Sequence, residues 1–305
     1  MYDDAAAGPD PLASYADGGS GNSFFDKIKA HSEIWIPLVL IVILFLFLSI
    51  YFGLIDAKSI PLVGGFLSNI MGEYKQVLVI GSPWVYSNNQ QETSLITILE
   101  QGKNGKKYKI KPIESAQNFA YNPANQIKHY DLIILDQSVL SDKSIPPDLS
   151  EALIDYVSVG GKLIIVGNSG TFITQRPDLE GLPATFNVGM APVDCTITFN
   201  GSQCNTPVII NYGVWHNTYE TNLFQGMDQV PPNPTSQGLQ GLPLTVFDVS
   251  PQGDEWAMIQ DLVTGRYYTG IVKKGYGLGK VIYFNYQEVA LIPSVLERVV
   301  ESLIG

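Results

Sequence analysis

The stretch that decides the fold is residues 130–170, YDLIILDQSVLSDKSIPPDLSEALIDYVSVGGKLIIVGNSG. Residues 131–136 form a short apolar run between polar residues, which is typical of a strand buried on both faces of a sheet. Residues 162–166 repeat that pattern. The segment between them has apolar residues on one helical face, and these are Leu149, Ala152, Leu153, Tyr156 and Val157.

The ends of this helix also have signals in the sequence. Asp148 is placed to cap its first turn, with Glu151 three residues later as the capping-box partner. Gly160 and Gly161 supply the left-handed conformation that ends a helix. A strand, a helix and a second strand of these lengths predict two neighbouring parallel strands.

The same alternation begins earlier in the chain. Residues 76–80 predict a first strand, and residues 108–113 predict a more polar strand that suits the edge of a sheet. Between them, Asn89 and Glu92 predict a second capping box, for a helix whose apolar face is Leu95, Ile96, Ile98 and Leu99. Strands that alternate with helices predict an α/β fold with a doubly wound, mostly parallel sheet of the amidotransferase or flavodoxin kind.

The pattern changes at residues 171–243, where Thr, Asn, Gln, Gly and Pro replace the helical period. We expect a β-rich insertion there, with a half-buried strand at 193–199 and a hairpin turn at Asn200 and Gly201. Strands resume at 244–249, 256–261 and 267–273.

The chain closes with a glycine motif, a strand and a helix. The Gly-x-Gly-x-Gly of residues 275–279 precedes a strand instead of linking a strand to a helix, so it predicts a hairpin turn and not a dinucleotide loop. The last helix is amphipathic, and its apolar residues are Ile292, Val295, Leu296, Val299, Val300 and Leu303.

Residues 34–55 are 22 consecutive residues without a charge. At about 1.5 Å per residue, a helix of this length spans roughly 33 Å, the thickness of a bilayer core. Trp35, Tyr51 and Phe52 stand where interfacial aromatic residues belong. We therefore predict a single transmembrane helix that acts as an uncleaved signal anchor, preceded by a disordered tail at residues 1–33.

Three features predict the orientation of this anchor. Lys27 and Lys29 precede it and only Lys58 follows it, which favours a cytoplasmic N-terminus and an extracytoplasmic C-terminal domain at the cell membrane. Cys195 and Cys204 are a candidate disulfide for an oxidising compartment. Asn200 begins a glycosylation sequon. The alternative is an inverted topology with an intracellular domain, which predicts free thiols.

Residues 56–74 form an apolar linker immediately after the anchor. It is more apolar than a simple spacer, and the candidate roles are contact with lipid headgroups, with a membrane-protein partner or with the chain's own domain.

The composition argues against several classes of partner. The net charge is −11 and no basic patch offsets it, so we expect no nucleic-acid binding. The three His residues are scattered and no metal-binding spacing is present, so we expect no metal and no other cofactor.

Residues 75–170 and 256–303 together resemble a class I glutamine amidotransferase-like domain. The stretches that carry the resemblance are VLVIGSP, QETSLITILEQG, YDLIILDQS, LIDYVSVGGKLIIVGNSG and GYGLGKVIYFNYQE. Non-enzymatic members include the GIFT-type luminal domains of oligosaccharyltransferase accessory subunits. The resemblance implies a domain of this fold at residues 75–305, with the β-rich insertion within it.

In catalytic members a Cys stands at the elbow after the Gly-Gly strand, and here Ser169 occupies that position. The catalytic His-x-Glu follows the last strand, and the matching residues are Asn285, Tyr286 and Gln287, or Tyr286 and Glu288 if the alignment shifts by one. Amides cannot take up a proton as imidazole and carboxylate do, so the resemblance implies a domain without the triad.

Polar and aromatic side chains follow three of the predicted strands. In an open parallel sheet these carboxyl ends form the edge where ligands bind. The aromatic residues with neutral hydrogen-bonding partners suit a sugar or a peptide. The ligand-binding candidates are Ser82, Trp84, Tyr86, Asp136, Gln137, Ser138, Asn168 and Ser169.

The sequence thus predicts a non-enzymatic, membrane-anchored extracytoplasmic module for binding or scaffolding. By analogy, it serves as an accessory subunit of a cell-envelope or glycosylation complex. The alternative is a membrane-bound serine hydrolase or amidase that uses Ser169, with His216 of the insertion as the base. A third view of the carboxyl edge is a set of capped loops that binds no ligand.

Overall fold

In the computed structural model, the described residues are 39–42, 44–45, 74–88, 91–101, 108–119, 121–173, 176–180, 189–195, 197–198, 201–202, 206–218 and 241–304. The chain divides into two compact units, Met1–Glu73 and Tyr74–Gly305.

Little of the first unit belongs to the described residues. Residues 39–42 and 44–45 are helical and their side chains are exposed. Within the described ranges, no helix is both long enough and apolar enough to cross a bilayer. The predicted tail at 1–33, most of the predicted anchor at 34–55 and nearly all of the linker at 56–74 lie outside the described residues, so the anchor stays a prediction.

The described part of the second unit contains eighteen strands. In chain order they are β1 (Lys75–Ile80), β2 (Val85–Asn88), β3 (Gln91–Ser94), β4 (Tyr108–Ile113), β5 (Leu132–Leu135), β6 (Ser144–Ile145), β7 (Lys162–Val166), β8 (Phe172–Ile173), β9 (Arg176–Glu180), β10 (Val193–Cys195), β11 (Ile197–Thr198), β12 (Gly201–Ser202), β13 (Val208–Asn217), β14 (Leu242–Val246), β15 (Val249–Pro251), β16 (Asp254–Asp261), β17 (Tyr267–Tyr276) and β18 (Gly279–Phe284).

Four helices accompany these strands in the described part of this unit. They are α1 (Leu95–Gln101), α2 (Pro123–Ile127), α3 (Pro147–Ser158) and α4 (Pro293–Ile304), and short 3₁₀ helices lie at Ala116–Phe119 and Val289–Leu291.

Nine strands form one mixed sheet in the order β14-β13-β16-β17-β18-β7-β5-β1-β4. The pairs from β18 to β4 are parallel, and the pairs from β14 to β18 are antiparallel. Only β13 and β17 therefore run against the other strands of this sheet. The α/β class and the large, mostly parallel sheet are confirmed. The sheet also includes β13, which lies within the range that the sequence assigned to an insertion.

Helices cover both faces of the parallel half of the sheet, as a doubly wound arrangement requires. Alternate residues of each buried strand point to opposite faces. Val77 and Ile134 belong to the core that α1 and α4 cover. Leu78 and Ile133 belong to the core that α3 covers. The polar strand β4 lies at the edge of the sheet, as predicted.

The glycine motif forms a two-residue hairpin turn, as predicted. Tyr276 of β17 pairs with Gly279 of β18, and Gly277 has a φ of 58°. A Cβ at Gly279 would overlap the carbonyl oxygens of Val157 and Gly161. Glycine is needed here because the hairpin packs directly on the end of α3.

Two predicted helix caps are wrong. The residues around Glu92 form a hairpin, β2 with β3, and α1 begins only at Leu95. The hydroxyl of Ser94 accepts the backbone N–H of Thr97 at 3.2 Å and takes the role assigned to Asn89, which lies outside the described residues. At α3, Pro146 is the N-cap and makes no side-chain hydrogen bond, so Asp148 lies inside the first turn.

The predicted turn at Asn200 and Gly201 is also wrong by one residue. Ile197 pairs with Ser202 and Thr198 pairs with Gly201, so Gly201 belongs to β12 and residues 199–200 connect the strands. Asn200 and Cys204 lie outside the described residues. The sequon and the disulfide with Cys195 therefore stay predictions.

Candidate functional site

The carboxyl ends of β1, β5, β7 and β18 lie side by side, because these four strands are neighbours in the parallel half of the sheet. The loop after β5 is tied to the loop after β1, where the backbone N–H of Val139 donates to the carbonyl of Ser82 at 3.1 Å. The structure thus gathers at one edge the loops that the sequence selected.

Ser169 and Gln137 join the loops after β7 and β5. The backbone N–H of Gln137 donates to Ser169 Oγ at 2.8 Å, and the backbone N–H of Gly170 donates to Gln137 Oε1 at 2.8 Å. Gln137 Nε2 donates to the carbonyl of Ser144 at 3.1 Å. Ser169 and Gln137 are 0% and 1% exposed. Both side chains hold the two loops together and neither faces solvent.

The turn that carries Ser169 depends on two glycines. Gly167 and Gly170 have φ values of 55° and 69°, in the left-handed region that favours glycine. A Cβ at Gly167 would lie 3.1 Å from the Gln287 side chain and 3.3 Å from the Phe247 ring. The elbow is therefore closely covered by residues that follow β18 and β14.

A buried acid and a buried base lie beside this turn. Asp136 is 1% exposed, and its Oδ1 accepts the backbone N–H of Ser138 at 3.0 Å. The ammonium of Lys143 donates to the carbonyls of Gln137 and Ser138. Lys143 therefore ties its own segment back to the start of the loop after β5. The hydroxyl of Ser138 is also buried, beside the carboxyl group of Asp136.

Burial changes the acidity of both groups. It raises the pKa of Asp136 to about 6, although hydrogen bonding by Ser138 and the charge of Lys143 oppose the change. It lowers the pKa of Lys143, and the charge of Asp136 opposes that change. Sequence reasoning missed Lys143. The sequence feature that could have indicated it is a single Lys within a short polar loop at the ligand-binding edge.

The structure does not bring a described histidine to Ser169. His216 lies on β13, where its Nε2 is 2.9 Å from Gln260 Oε1. The strands β16, β17 and β18 separate β13 from β7. The four spacings from β13 to β7 amount to roughly 19 Å, so His216 and Ser169 belong to distant parts of the sheet. His129 precedes β5 at the opposite edge of the sheet. Within the described ranges, no three His, Cys, Asp or Glu residues gather as metal ligands.

Asn285, which matches the first triad position, is a fully buried structural amide. Its Nδ2 donates to the carbonyls of Phe247 at 2.8 Å and Thr269 at 2.7 Å. Its Oδ1 accepts the backbone N–H of Phe247 at 3.1 Å and the hydroxyl of Tyr283 at 3.0 Å. The side chain makes four hydrogen bonds within the protein and joins the end of β18 to β17 and to the segment that follows β14.

The shifted alignment also places structural residues at the triad positions. Tyr286 is 0% exposed, packs edge-on against Trp215 with ring centroids 5.1 Å apart, and has its pKa raised by burial. The carboxylate of Glu288 accepts the backbone N–H of Thr245 at 2.9 Å and its hydroxyl at 2.8 Å. Neither side chain is directed by these contacts toward Ser169.

The outer part of this edge is aromatic and neutral. Trp84 and Tyr86 stack with ring centroids 6.0 Å apart at 23°, and Tyr86 is 41% exposed. Gln287 Nε2 donates to Asn168 Oδ1 at 3.3 Å, and both residues are half-buried. The hairpin that carries Tyr86 contacts the 3₁₀ helix Val289–Leu291. We name Ser82, Trp84, Tyr86, Asn168 and Gln287 the carboxyl-edge surface.

A cavity of about 440 Å³ lies at the other edge of the sheet, where β5 and β7 begin. Lys128, Asp131, Asp155, Tyr156 and Lys162 are among the residues that line it. The hydroxyl of Tyr156 donates to the carbonyl of Tyr130 at 3.0 Å. None of the ligand-binding candidates from the sequence lines this cavity.

No protein-family model matches the chain, and no curated protein sequence matches it significantly. Several solved structures show a weak likeness. The cytoplasmic protein STM1381 from Salmonella typhimurium LT2 has 18% identity and a TM-score of 0.46, over 75% of this chain and 99% of that one. A ThuA-like protein from Parabacteroides merdae has 14% identity and a TM-score of 0.46, and the match covers 76% of this chain and 90% of that protein. A β-galactosidase from Rahnella sp. R3 has 13% identity and a TM-score of 0.44, and the match covers 81% of this chain and 35% of that enzyme.

Proposed function

We propose that this chain is a non-enzymatic, membrane-anchored extracytoplasmic binding or scaffolding module with an amidotransferase-like α/β domain. Its N-terminus is cytoplasmic and its anchor is residues 34–55. By analogy with non-enzymatic members of the resembling family, it acts as an accessory subunit of a cell-envelope or glycosylation complex. Residues 56–74 are the segment proposed to contact a membrane-protein partner.

One observation carries the non-enzymatic assignment. Ser169 is 0% exposed and its Oγ accepts the backbone N–H of Gln137. A serine nucleophile needs exposure to substrate and a base within hydrogen-bonding distance. The residues that match the triad positions in the two alignments, Asn285 and Glu288, use their side chains in hydrogen bonds within the domain. These contacts favour a structural role for the whole elbow.

The carboxyl-edge surface is the proposed ligand site. The rings of Trp84 and Tyr86 offer an aromatic face, and the amides of Asn168 and Gln287 offer neutral donors and acceptors. Aromatic faces beside neutral hydrogen-bonding groups suit a sugar ring or a peptide. Asp136 and Ser169 are too buried to touch such a ligand, so they support the surface from below.

Two experiments test this proposal. A fluorophosphonate probe should leave the folded chain unlabelled. Labelling that disappears in the Ser169→Ala variant would support the serine hydrolase instead. Titration with maltotriose, cellotriose and N-acetylchitotriose should quench tryptophan fluorescence, and the Tyr86→Ala variant should lose the response. A Tyr267→Ala variant is the control, because Tyr267 is an exposed tyrosine on β17 outside the carboxyl-edge surface.

A further inference from the structure

We propose that the amino edge of the parallel sheet is a docking surface for an anionic lipid bilayer. The surface, which we name the amino-edge surface, consists of Lys128, Val159, Lys162, Leu278 and Lys280. It lies at the opposite edge of the sheet from the carboxyl-edge surface. The inference rests on the membrane anchoring in the proposed function and adds an orientation of the domain to it.

Two apolar side chains project from this edge. Leu278 is 82% exposed and Val159 is 75% exposed. The backbone N–H of Leu278 donates to the carbonyl of Ser158 at 2.9 Å, which fixes the β17–β18 turn beside the end of α3. A Cβ at Gly160 would lie 3.8 Å from the Cβ of Leu278. Val159 at the C-cap of α3 and Leu278 in the β17–β18 turn are thus two exposed apolar residues at neighbouring element ends, which suits insertion at the headgroup boundary.

Lysines stand around these apolar residues. Lys162 of β7 and Lys280 of β18 are direct neighbours in the sheet register, and Lys280 is exposed. Lys128 and Lys162 line the same cavity. Like charges on neighbouring strands repel, and an anionic surface opposite them relieves that repulsion. Asp131 and Asp155 also line the cavity, so we assign the attraction to the surface as a whole and not to the cavity.

The position of this edge along the chain is the argument for lipid as the partner. The described part of the domain begins with Tyr74, 52% exposed, directly before β1 at the amino edge. The predicted anchor ends at residue 55, so 19 residues separate it from β1. An extended chain of this length reaches at most about 63–68 Å. The three lysines at this edge exceed its two named aspartates, Asp131 and Asp155, by one charge, whereas the whole chain carries a net charge of −11.

The test uses the full chain in nanodiscs with an environment-sensitive dye. The Leu278→Cys variant and the Val139→Cys variant, whose position is 58% exposed at the carboxyl edge, are labelled in parallel. The wild-type chain gives the labelling background. With nitroxide-bearing phosphatidylglycerol, the dye at position 278 should lose most of its fluorescence and the dye at position 139 should keep it. Equal quenching at both positions, or quenching at 139 alone, would overturn the proposal.

Charge variants separate lipid docking from simple proximity. Adding Lys162→Glu and Lys280→Glu should restore the fluorescence at position 278, whereas Lys162→Arg and Lys280→Arg should leave it quenched. If the charge reversals leave the quenching unchanged, the electrostatic part of the proposal fails. Recovery of the wild-type chain in the membrane fraction after a carbonate wash tests the anchor separately. If the anchor fails, the same labels with phosphatidylglycerol vesicles still test the surface.

Discussion

The hydroxyl of Ser169 accepts a hydrogen bond from the backbone N–H of Gln137 at 2.8 Å, across 32 positions of sequence. Both residues are buried, so this bond joins two loops that follow neighbouring strands. The residue that would be the nucleophile of an amidotransferase-like enzyme is here a structural link.

Replacing Ser169 with Ala should leave the N–H of Gln137 buried and unpaired. A buried donor without a partner costs about 1–3 kcal/mol, so we expect the free energy of unfolding to fall by that amount. Urea unfolding followed by tryptophan fluorescence measures it. Thr171→Val is the control, because the buried Thr171 hydroxyl has no partner among the described residues. Its expected change is within about 0.5 kcal/mol. Equal losses in both variants would contradict the prediction.

Replacing Asn285 with Ala should be more severe. Its amide satisfies both backbone groups of Phe247, the carbonyl of Thr269 and the hydroxyl of Tyr283. Leaving several buried groups unpaired should cost at least about 3 kcal/mol. Thermal unfolding of the variant checks this expectation. Gln287→Ala is the comparison variant, because it removes a single half-buried hydrogen bond to Asn168. Its free energy of unfolding should fall by about 1 kcal/mol or less.

Asp136 should make stability depend on pH. Its pKa rises from 3.8 in the unfolded chain to about 6 in the folded protein. A group whose pKa is raised by folding stabilises the protein below the unfolded pKa, and this contribution is lost as pH rises through the folded pKa. Stability should therefore fall between about pH 4 and pH 6, by up to about 3 kcal/mol for this group.

The Asp136→Asn variant isolates this contribution. The amide keeps an oxygen that can accept the N–H of Ser138 and it cannot titrate. The difference in urea midpoint between wild type and variant should change across pH 4–6 and be level outside that range. A constant difference across the whole range would show that Asp136 does not titrate there.

The glycine motif offers two substitutions with opposite expectations. Gly279→Ala should place a methyl group against the carbonyls of Val157 and Gly161, and we expect a loss of about 3 kcal/mol because the backbone cannot yield. Gly275→Ala meets no atom within 4 Å, so its free energy of unfolding should stay near that of wild type. Differential scanning calorimetry of both variants measures the difference. Similar melting temperatures would contradict the close packing of Gly279 against the end of α3.

The predicted disulfide between Cys195 and Cys204 stays open to a direct test, because Cys204 lies outside the described residues. Non-reducing peptide mass spectrometry should find the two Cys linked, and the bond should contribute about 2.5–3 kcal/mol. Complete alkylation of both thiols without reductant would favour the inverted topology instead.

Sequence reasoning located the strands of the parallel half well and the loop residues poorly. Residues 162–166 form β7 as predicted, because a buried strand has a local apolar pattern. Lys143 was missed because its burial depends on carbonyls that only the folded loop presents. The caps at Asn89 and Asp148 were wrong because pairing of β2 with β3 and the rigid Pro146 replaced the local signals.

The sequence by itself determined the α/β class, the strand–helix–strand crossovers and the edge of the sheet where the candidate loops meet. These follow from apolar periodicity, which is a local property of the chain. Only the tertiary structure decided which candidates are exposed and which are buried supports, and it placed β13 in the main sheet far from β7. The reason is that burial and hydrogen-bond pairing join residues such as Gln137 and Ser169, whose separation in sequence leaves no local pattern.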